Sequence, residues 1–460
     1  MYSLRPKTID YDKMWGNLEP SIIDIITLQP ISNKQWNFMF GDIYEICVAI
    51  PDPLGDRLYA SVRESLEKHA SQLHEKLRET NSGELLPEYY RLWTVYLNRQ
   101  YARTRKTCET EQFGNFQMYI HQPEVREIGS LALDIWRQKV MAPLLQSLVS
   151  LLLQAIEQDR TGGTPMSDER IVSGVIKSFV QVEESFPSED RPAVVPTHDF
   201  YKDNFECKFL EATRVFYGRL ADQLFEKLTC SQYMKTVIDK LDEEDRRTRR
   251  FCPLATLPEA MKICQEVMID AHKERLHSVA PELIEHEMKE DLHNMYRLLR
   301  PLQGGLSLLV SEFEAYVRRK GHEAVSGLQG DSVPTQFVER VLAVHEKYSA
   351  MKNEVFMGDG DFSGALDMAL QVHEKYSAMK NEVFMGDGDF SGALDKALQA
   401  VVNIREEART VPKASERLAR YTYLLLRKSA KGLSESEIEN CLTKAIIIFR
   451  YIEDKDVFQK

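Results

Sequence analysis

The chain has 460 residues, 43% of them hydrophobic, and its 71 acidic residues outnumber 59 basic ones, which gives a net charge of −12. This length exceeds what a single core supports, so we expect about three units. The hydrophobic content excludes an intrinsically disordered chain. An acidic chain has no general attraction for nucleic acids or anionic membranes. We therefore expect protein partners, bound by shape and apolar contact, and neither nucleic acid nor membrane.

Seven cysteines are scattered along the chain without a CxxC pair. This pattern is typical of reduced thiols and predicts a protein of the cytoplasm and nucleus. The first residues lack the apolar core of a signal peptide. The most apolar long stretch, residues 144–156, is interrupted by four polar side chains. It falls short of the ~18 apolar residues typical of a membrane span.

The N-terminal region contains a short predicted helix, residues 36–48, that is apolar on more than one face. Trp36, Phe40 and Tyr44 recur at helical spacing, and Phe38 and Met39 lie beside or opposite them. A helix that is apolar all round is either wholly buried or keeps one face for a partner. A core position accounts for about half of these residues. The surplus aromatic side chains are suited to a docking surface.

Two longer segments, residues 131–156 and 276–302, have apolar residues recurring every three or four positions, which predicts long amphipathic helices. Pro143 predicts a kink or a joint in the first of them. We expect such helices to be shared between neighbouring bundles and to make them rigid. Alternating strand-like runs are almost absent, so the sequence predicts an all-α fold.

A basic run at residues 246–250 directly follows an acidic run at 242–245. In a helix these runs place acid and base four positions apart, pairing Asp242 with Arg246, Glu243 with Arg247 and Asp245 with Arg249. We therefore expect a solvated helix that neutralises its own charge, in preference to a nuclear-import or phosphate-binding patch.

Residues 344–371 are repeated at 372–399, where Lys396 replaces Met368 as the only difference. Each copy predicts a helix, a Gly-Asp-Gly-Asp turn and a second apolar stretch. Two copies are too few for a solenoid, which needs at least about three. Because interiors are close-packed, only one copy can fill a given position in a bundle. The other copy is expected to form an exposed hairpin or to extend the bundle, unless the repeat is only a duplicated exon or an assembly error.

The sequence contains no recognisable catalytic, cofactor or metal site. The Asp-Gly-Asp turns at 359–361 and 387–389 lack the closing Glu of an EF-hand, which favours a simple turn. Residues 286–290 lack the second His of a zinc-protease motif. Neither a P-loop nor a cysteine in a nucleophile context is present. The sequence therefore predicts a protein that is not an enzyme.

The most specific segment is YIEDKDVFQ, at residues 451–459. Seven earlier segments accompany it in the order 11–15, 36–47, 127–137, 200–206, 230–234, 294–299 and 418–432. Taken together, these segments resemble the cullins, the elongated scaffolds of modular ubiquitin ligases.

The resemblance implies an all-α, elongated stalk of three cullin-type helical repeats followed by the start of a further helical bundle. The boundaries it implies are 1–142, 143–275 and 276–402 for the repeats, the last containing the duplication, and 403–460 for the start of the cullin homology region. The function it implies is non-catalytic scaffolding of a cullin-RING ubiquitin ligase for ubiquitin-dependent protein degradation.

Segments 3–6 and 51–59 look most like the branch of the family that uses elongins B and C. This resemblance implies that the first repeat binds elongin C, itself bound to elongin B and a VHL-box substrate receptor. Leu4 and Pro6 would lie in an apolar groove on elongin C. The adaptor-facing residues would be Leu4, Pro6, Asn37, Phe40, Ile43, Tyr44 and Ile46.

The sequence departs from the family pattern in three ways. It stops before the region that binds the RING subunit and carries the NEDD8-modified lysine, so RING binding is not expected from this chain alone. The duplication falls at the end of the third repeat. Less sequence follows residues 93–98 than the family has there, so the first repeat is shortened. The alternatives are a helical tether of another complex, a calcium-responsive module on the duplicated turns, and a non-functional truncated isoform.

Overall fold

A computed structural model describes residues 8–27, 29–108, 128–163, 167–183, 198–329, 332–356, 388–404, 413–429 and 435–460. Within these ranges every regular element is a helix, which confirms the predicted all-α class. Two compact units form, one from Met1–Val215 with Glu244–Met261 and one from Phe216–Glu243 with Lys262–Lys460. We call them the first and second units. The predicted boundaries of three repeats and a further bundle stay predictions.

The helices follow one another through short turns. The first eleven are α1 (Tyr11–Thr27), α2 (Asn33–Cys47), α3 (Gly55–Arg78), α4 (Leu85–Cys108), α5 (Ile128–Trp136), α6 (Ala142–Thr161), α7 (Glu169–Gln181), α8 (Asp199–Tyr201), α9 (Cys207–Lys227), α10 (Cys230–Phe251) and α11 (Leu257–Met268). The next eight are α12 (Lys273–Glu285), α13 (Lys289–Leu299), α14 (Ser307–Val325), α15 (Val333–Phe356), α16 (Gly388–Val402), α17 (Ala414–Ser429), α18 (Glu435–Tyr451) and α19 (Lys455–Gln459).

An aromatic cluster around Trp136 lies in the core of the first unit. The rings of Tyr89, Trp93 and Tyr96, all on α4, lie 5.8, 5.4 and 4.6 Å from the Trp136 ring, centroid to centroid. The Trp136 indole N–H donates to the Tyr89 hydroxyl (3.2 Å), and the Tyr96 hydroxyl donates to the Ala132 carbonyl (2.8 Å). Buried aromatic pairs with satisfied polar atoms stabilise a core beyond their area. The segment where the chain is shorter than the family pattern thus still begins with a packed helix.

The helix predicted over residues 131–156 is continuous from α5 to α6, with one π-helical turn, Arg137–Met141, between them. Pro143 follows this turn directly. Because proline cannot donate a backbone hydrogen bond and its ring crowds the preceding turn, a wider turn at this point accommodates it. The predicted joint is confirmed in this form.

The same helix, from Gly129 to Thr161, is long and apolar enough to cross a membrane by length and composition alone. Half of its most apolar window (50%) is buried inside the first unit, including Leu148 and Leu152. A core helix passes the same test, and the buried face fits that description.

The charged helix α10 is less solvated than the sequence predicts. The expected pair of Asp245 with Arg249 forms, with 2.7 Å between oxygen and nitrogen. Glu244, however, is fully buried. It accepts from Arg160 (2.5 Å) and from Arg247 (2.5 Å). Arg247 also pairs with Asp159 at 2.7 Å. The helix therefore contributes a buried ionic network to the first unit, and the prediction of a wholly solvated helix was wrong there.

The single long helix predicted over residues 276–302 was also wrong. Two helices, α12 and α13, are separated at Glu287, whose φ of 50° lies in the left-handed region. The Met288 N–H donates to the Leu283 carbonyl (2.9 Å), which closes the end of α12. The Glu287 carboxylate accepts from the Tyr316 hydroxyl (2.9 Å) and the Lys347 ammonium (2.6 Å). Contacts from distant residues thus hold a turn that the apolar spacing does not reveal.

The duplicated sequence supplies one packed pair of helices to the second unit. Residues 344–356 of the first copy end α15, and residues 388–399 of the second copy begin α16. Phe356 stacks on Phe390 with 3.7 Å between ring centroids. Tyr296 and Phe313 both meet these two rings edge-on. The described core therefore contains half of each copy. Residues 357–387, which include the first predicted turn, lie outside the described residues.

Candidate functional site

Helix α2 is the best-defined candidate for a docking surface. A reciprocal capping box fixes its start, because the Gln35 N–H donates to the Ser32 hydroxyl (3.2 Å) and the Ser32 N–H donates to the Gln35 side chain (3.0 Å). At its other end the Leu54 N–H donates to the Ile46 carbonyl at 3.1 Å. The chain entering and leaving α2 is thus held by hydrogen bonds.

The inner face of α2 belongs to the core of the first unit. Met39, Ile46 and Cys47 are buried there, and α2 packs against α1 and α3. Burial raises the pKa of the Cys47 thiol to about 11, so this cysteine is a packing residue and not a nucleophile. The helix is therefore fixed in rotation, and its remaining residues form a defined outer face.

The predicted adaptor residues fall into three groups. Asn37 is exposed, and Phe40, Ile43 and Tyr44 are partly buried. Ile46 is 0% exposed, so it cannot reach a partner in this structure and is removed from the proposed surface. Leu4 and Pro6 lie outside the described residues. Because α2 is apolar almost all round, sequence alone could not separate Ile46 from its outward neighbours.

Phe38 was not among the predicted contacts, yet it is 49% exposed on the outer side of α2. The Lys34 ammonium lies 5.8 Å from the centre of its ring. Burial and the charge of nearby Glu45 raise the pKa of Asp42, which follows Phe38 by one helical turn. Projecting residues 36–48 onto a helical wheel would have found this second stripe once the buried face was known.

The chemistry of this surface is binding chemistry. It offers aromatic rings, an amide and carboxylates, which can anchor a partner protein by burial and hydrogen bonds. Within the described part of the chain, no group of three or more His, Cys, Asp or Glu side chains is arranged to hold a metal ion.

Comparison with known proteins agrees with this picture. The model of the cullin alpha solenoid domain matches residues 15–371 and 367–460. Cullin-2 of Caenorhabditis elegans is 44% identical over 480 residues, which cover 100% of this chain and 57% of that protein. Cullin-1 of Dictyostelium discoideum is 30% identical, covering 98% of this chain and 58% of that protein.

Cullin-3B of Arabidopsis thaliana is 24% identical, covering 98% of this chain and 54% of that protein. The chain thus spans a little over half the length of the curated relatives it matches. The family model covers nearly the whole sequence, which confirms the resemblance drawn from its motifs. The chain belongs to the cullin family.

Proposed function

We propose that this chain is a non-catalytic scaffold of a cullin-RING ubiquitin ligase that acts in ubiquitin-dependent protein degradation. In this proposal the outer face of α2 binds elongin C, which carries elongin B and a VHL-box substrate receptor. The cytoplasm and the nucleus are the proposed locations. The family membership and the similarity to a Cullin-2 support the scaffold role.

One observation carries the proposal, namely that α2 keeps aromatic side chains on its outer face although its inner face already fills the core. Tyr44 and Phe40 stay partly exposed one turn apart, and Asn37 lies exposed beside them. Partly exposed aromatic residues beside a polar group are typical of the anchors of protein interfaces. A helix fixed by caps at both ends presents them without a large ordering cost.

The test is a calorimetric titration of the 460-residue protein with the elongin B/C complex. We expect Tyr44→Ala to weaken binding by at least about tenfold, as truncation of an interface anchor typically does. The matched control is Tyr423→Ala, because Tyr423 is 62% exposed on α17 in the second unit. This control should bind like the wild type.

Circular dichroism confirms that both variants are folded. Absence of binding by the folded wild-type protein would refute the proposal. Equal binding by Tyr44→Ala and the wild type would remove α2 from the adaptor site.

A further inference from the structure

The outer side of α2 carries a second stripe that the proposed adaptor contact does not use. It consists of Phe38, Asp42 and Glu45, which lie on one side of the helix because they are separated by four and three positions. Phe38 is 49% exposed, and Lys34 lies over its ring. An aromatic side chain this exposed, among charged neighbours, is typical of an interface residue before its partner binds.

The two stripes are separated by the geometry of the helix. Successive residues turn by about 100°, so Phe38 lies about 100° from Asn37. With side chains the helix is about 10–12 Å wide, which places the two stripes roughly 8 Å apart. Gly41 projects between them and has no side chain to bridge the gap. A surface seated on Asn37 and Tyr44 therefore ends near Gly41, and Phe38 faces whatever lies beside it.

The charges on the second stripe indicate the chemistry of its partner. Asp42 is partly buried, and the charge of Glu45 is close enough to disfavour ionisation of Asp42. A positively charged side chain placed between the two carboxylates would relieve this repulsion. The aromatic ring next to them offers an apolar contact. The stripe is therefore complementary to a segment that has an apolar residue beside a Lys or Arg.

We propose that the stripe of Phe38, Asp42 and Glu45 binds the substrate receptor that elongin C carries, through an apolar residue next to a basic one. This inference rests on the proposed function, because the receptor reaches α2 only when elongin C occupies the neighbouring stripe. The scaffold then reads both members of the adaptor–receptor pair from a single helix, and the second stripe discriminates among receptors.

The test titrates the 460-residue protein with two probes, elongin B/C alone and elongin B/C bound to a VHL-box receptor. For Phe38→Ala and Asp42→Lys we expect binding of elongin B/C alone to stay within about twofold of the wild type. Binding of the receptor-bearing complex should weaken by about tenfold. The control is Leu254→Ala, because Leu254 is an equally apolar residue, 68% exposed, elsewhere in the first unit. It should bind both probes like the wild type.

Two outcomes would overturn the inference. If Phe38→Ala weakens elongin B/C alone as much as the receptor-bearing complex, the stripe belongs to the adaptor. If neither variant weakens the receptor-bearing complex, the stripe makes no receptor contact. Failure of the wild type to bind elongin B/C is a different result, since it refutes the proposed function and removes this inference with it.

Discussion

Helix α2 and the duplicated segment both contain more apolar residues than the described core uses, but the two surpluses differ. In α2 the extra residues lie on the same helix as the buried ones, and they face outward beside Met39 and Ile46. In the duplicated segment the surplus is a whole copy, and the core takes half of each copy. An apolar surplus on a packed helix indicates a partner. An apolar surplus in a repeat indicates only extra length.

The sharpest way to break this comparison is to remove a ring from the shared position in the second unit. Phe390→Ala deletes a fully buried side chain that stacks on Phe356. It should lower the free energy of unfolding by about 3–5 kcal/mol. Phe362→Ala changes the same residue of the first copy and should cost much less. Urea denaturation of both variants measures the difference, and equal losses would show that the copies share the position.

A smaller effect tests how tightly the second copy is fixed. A Cβ at Gly321 on α14 would lie 2.1 Å from a methyl carbon of Val401, the second residue after the repeat. Gly321→Ala should therefore destabilise the protein by about 1–3 kcal/mol.

Gly392→Ala is the matched control, since nothing lies within 4 Å of a Cβ there. In the interior of α16 it should stabilise the protein by about 0.5–1 kcal/mol. Thermal unfolding of the two variants should thus shift in opposite directions. A shift in the same direction would contradict the close packing of α14 against α16.

The smallest effect is expected from deleting one copy. Removing 344–371 or removing 372–399 leaves the same residues in both packed helices except at one position, which is Lys396 or the equivalent Met368. Lys396 is exposed, so either residue is tolerated there. Both deletions should keep the unfolding free energy within about 0.5 kcal/mol of the full chain. A large loss in both would show that the extra 28 residues contribute to the fold.

Periodicity and motifs were sufficient for the helical class, the joint at Pro143 and the family. They were insufficient wherever distant residues decide the structure. The break at Glu287 depends on Tyr316 and Lys347, which follow it by 29 and 60 positions. The orientation of Ile46 depends on where α1 and α3 pack, because a helix that is apolar all round has no sequence signal for its inner face.

The duplication poses a further limit, because two identical sequences predict identical local structure. The residues that flank the repeat decide which half is used. Val341 and Leu342 are buried just before the first copy, and Val401 and Val402 are buried just after the second. Each helix is thus continuous with its own buried flank. This choice becomes visible only when both flanks are placed in the same core.

The buried network of Arg160, Glu244, Arg247 and Asp159 has a consequence for how this chain can evolve. Replacing one member alone leaves an uncompensated charge where water cannot reach it, which typically costs about 3–5 kcal/mol. Exchanging the whole set for apolar residues of similar size can be nearly neutral. Orthologous sequences should therefore retain all four residues or lose them together, so that Arg160 and Glu244 are inherited as a single character.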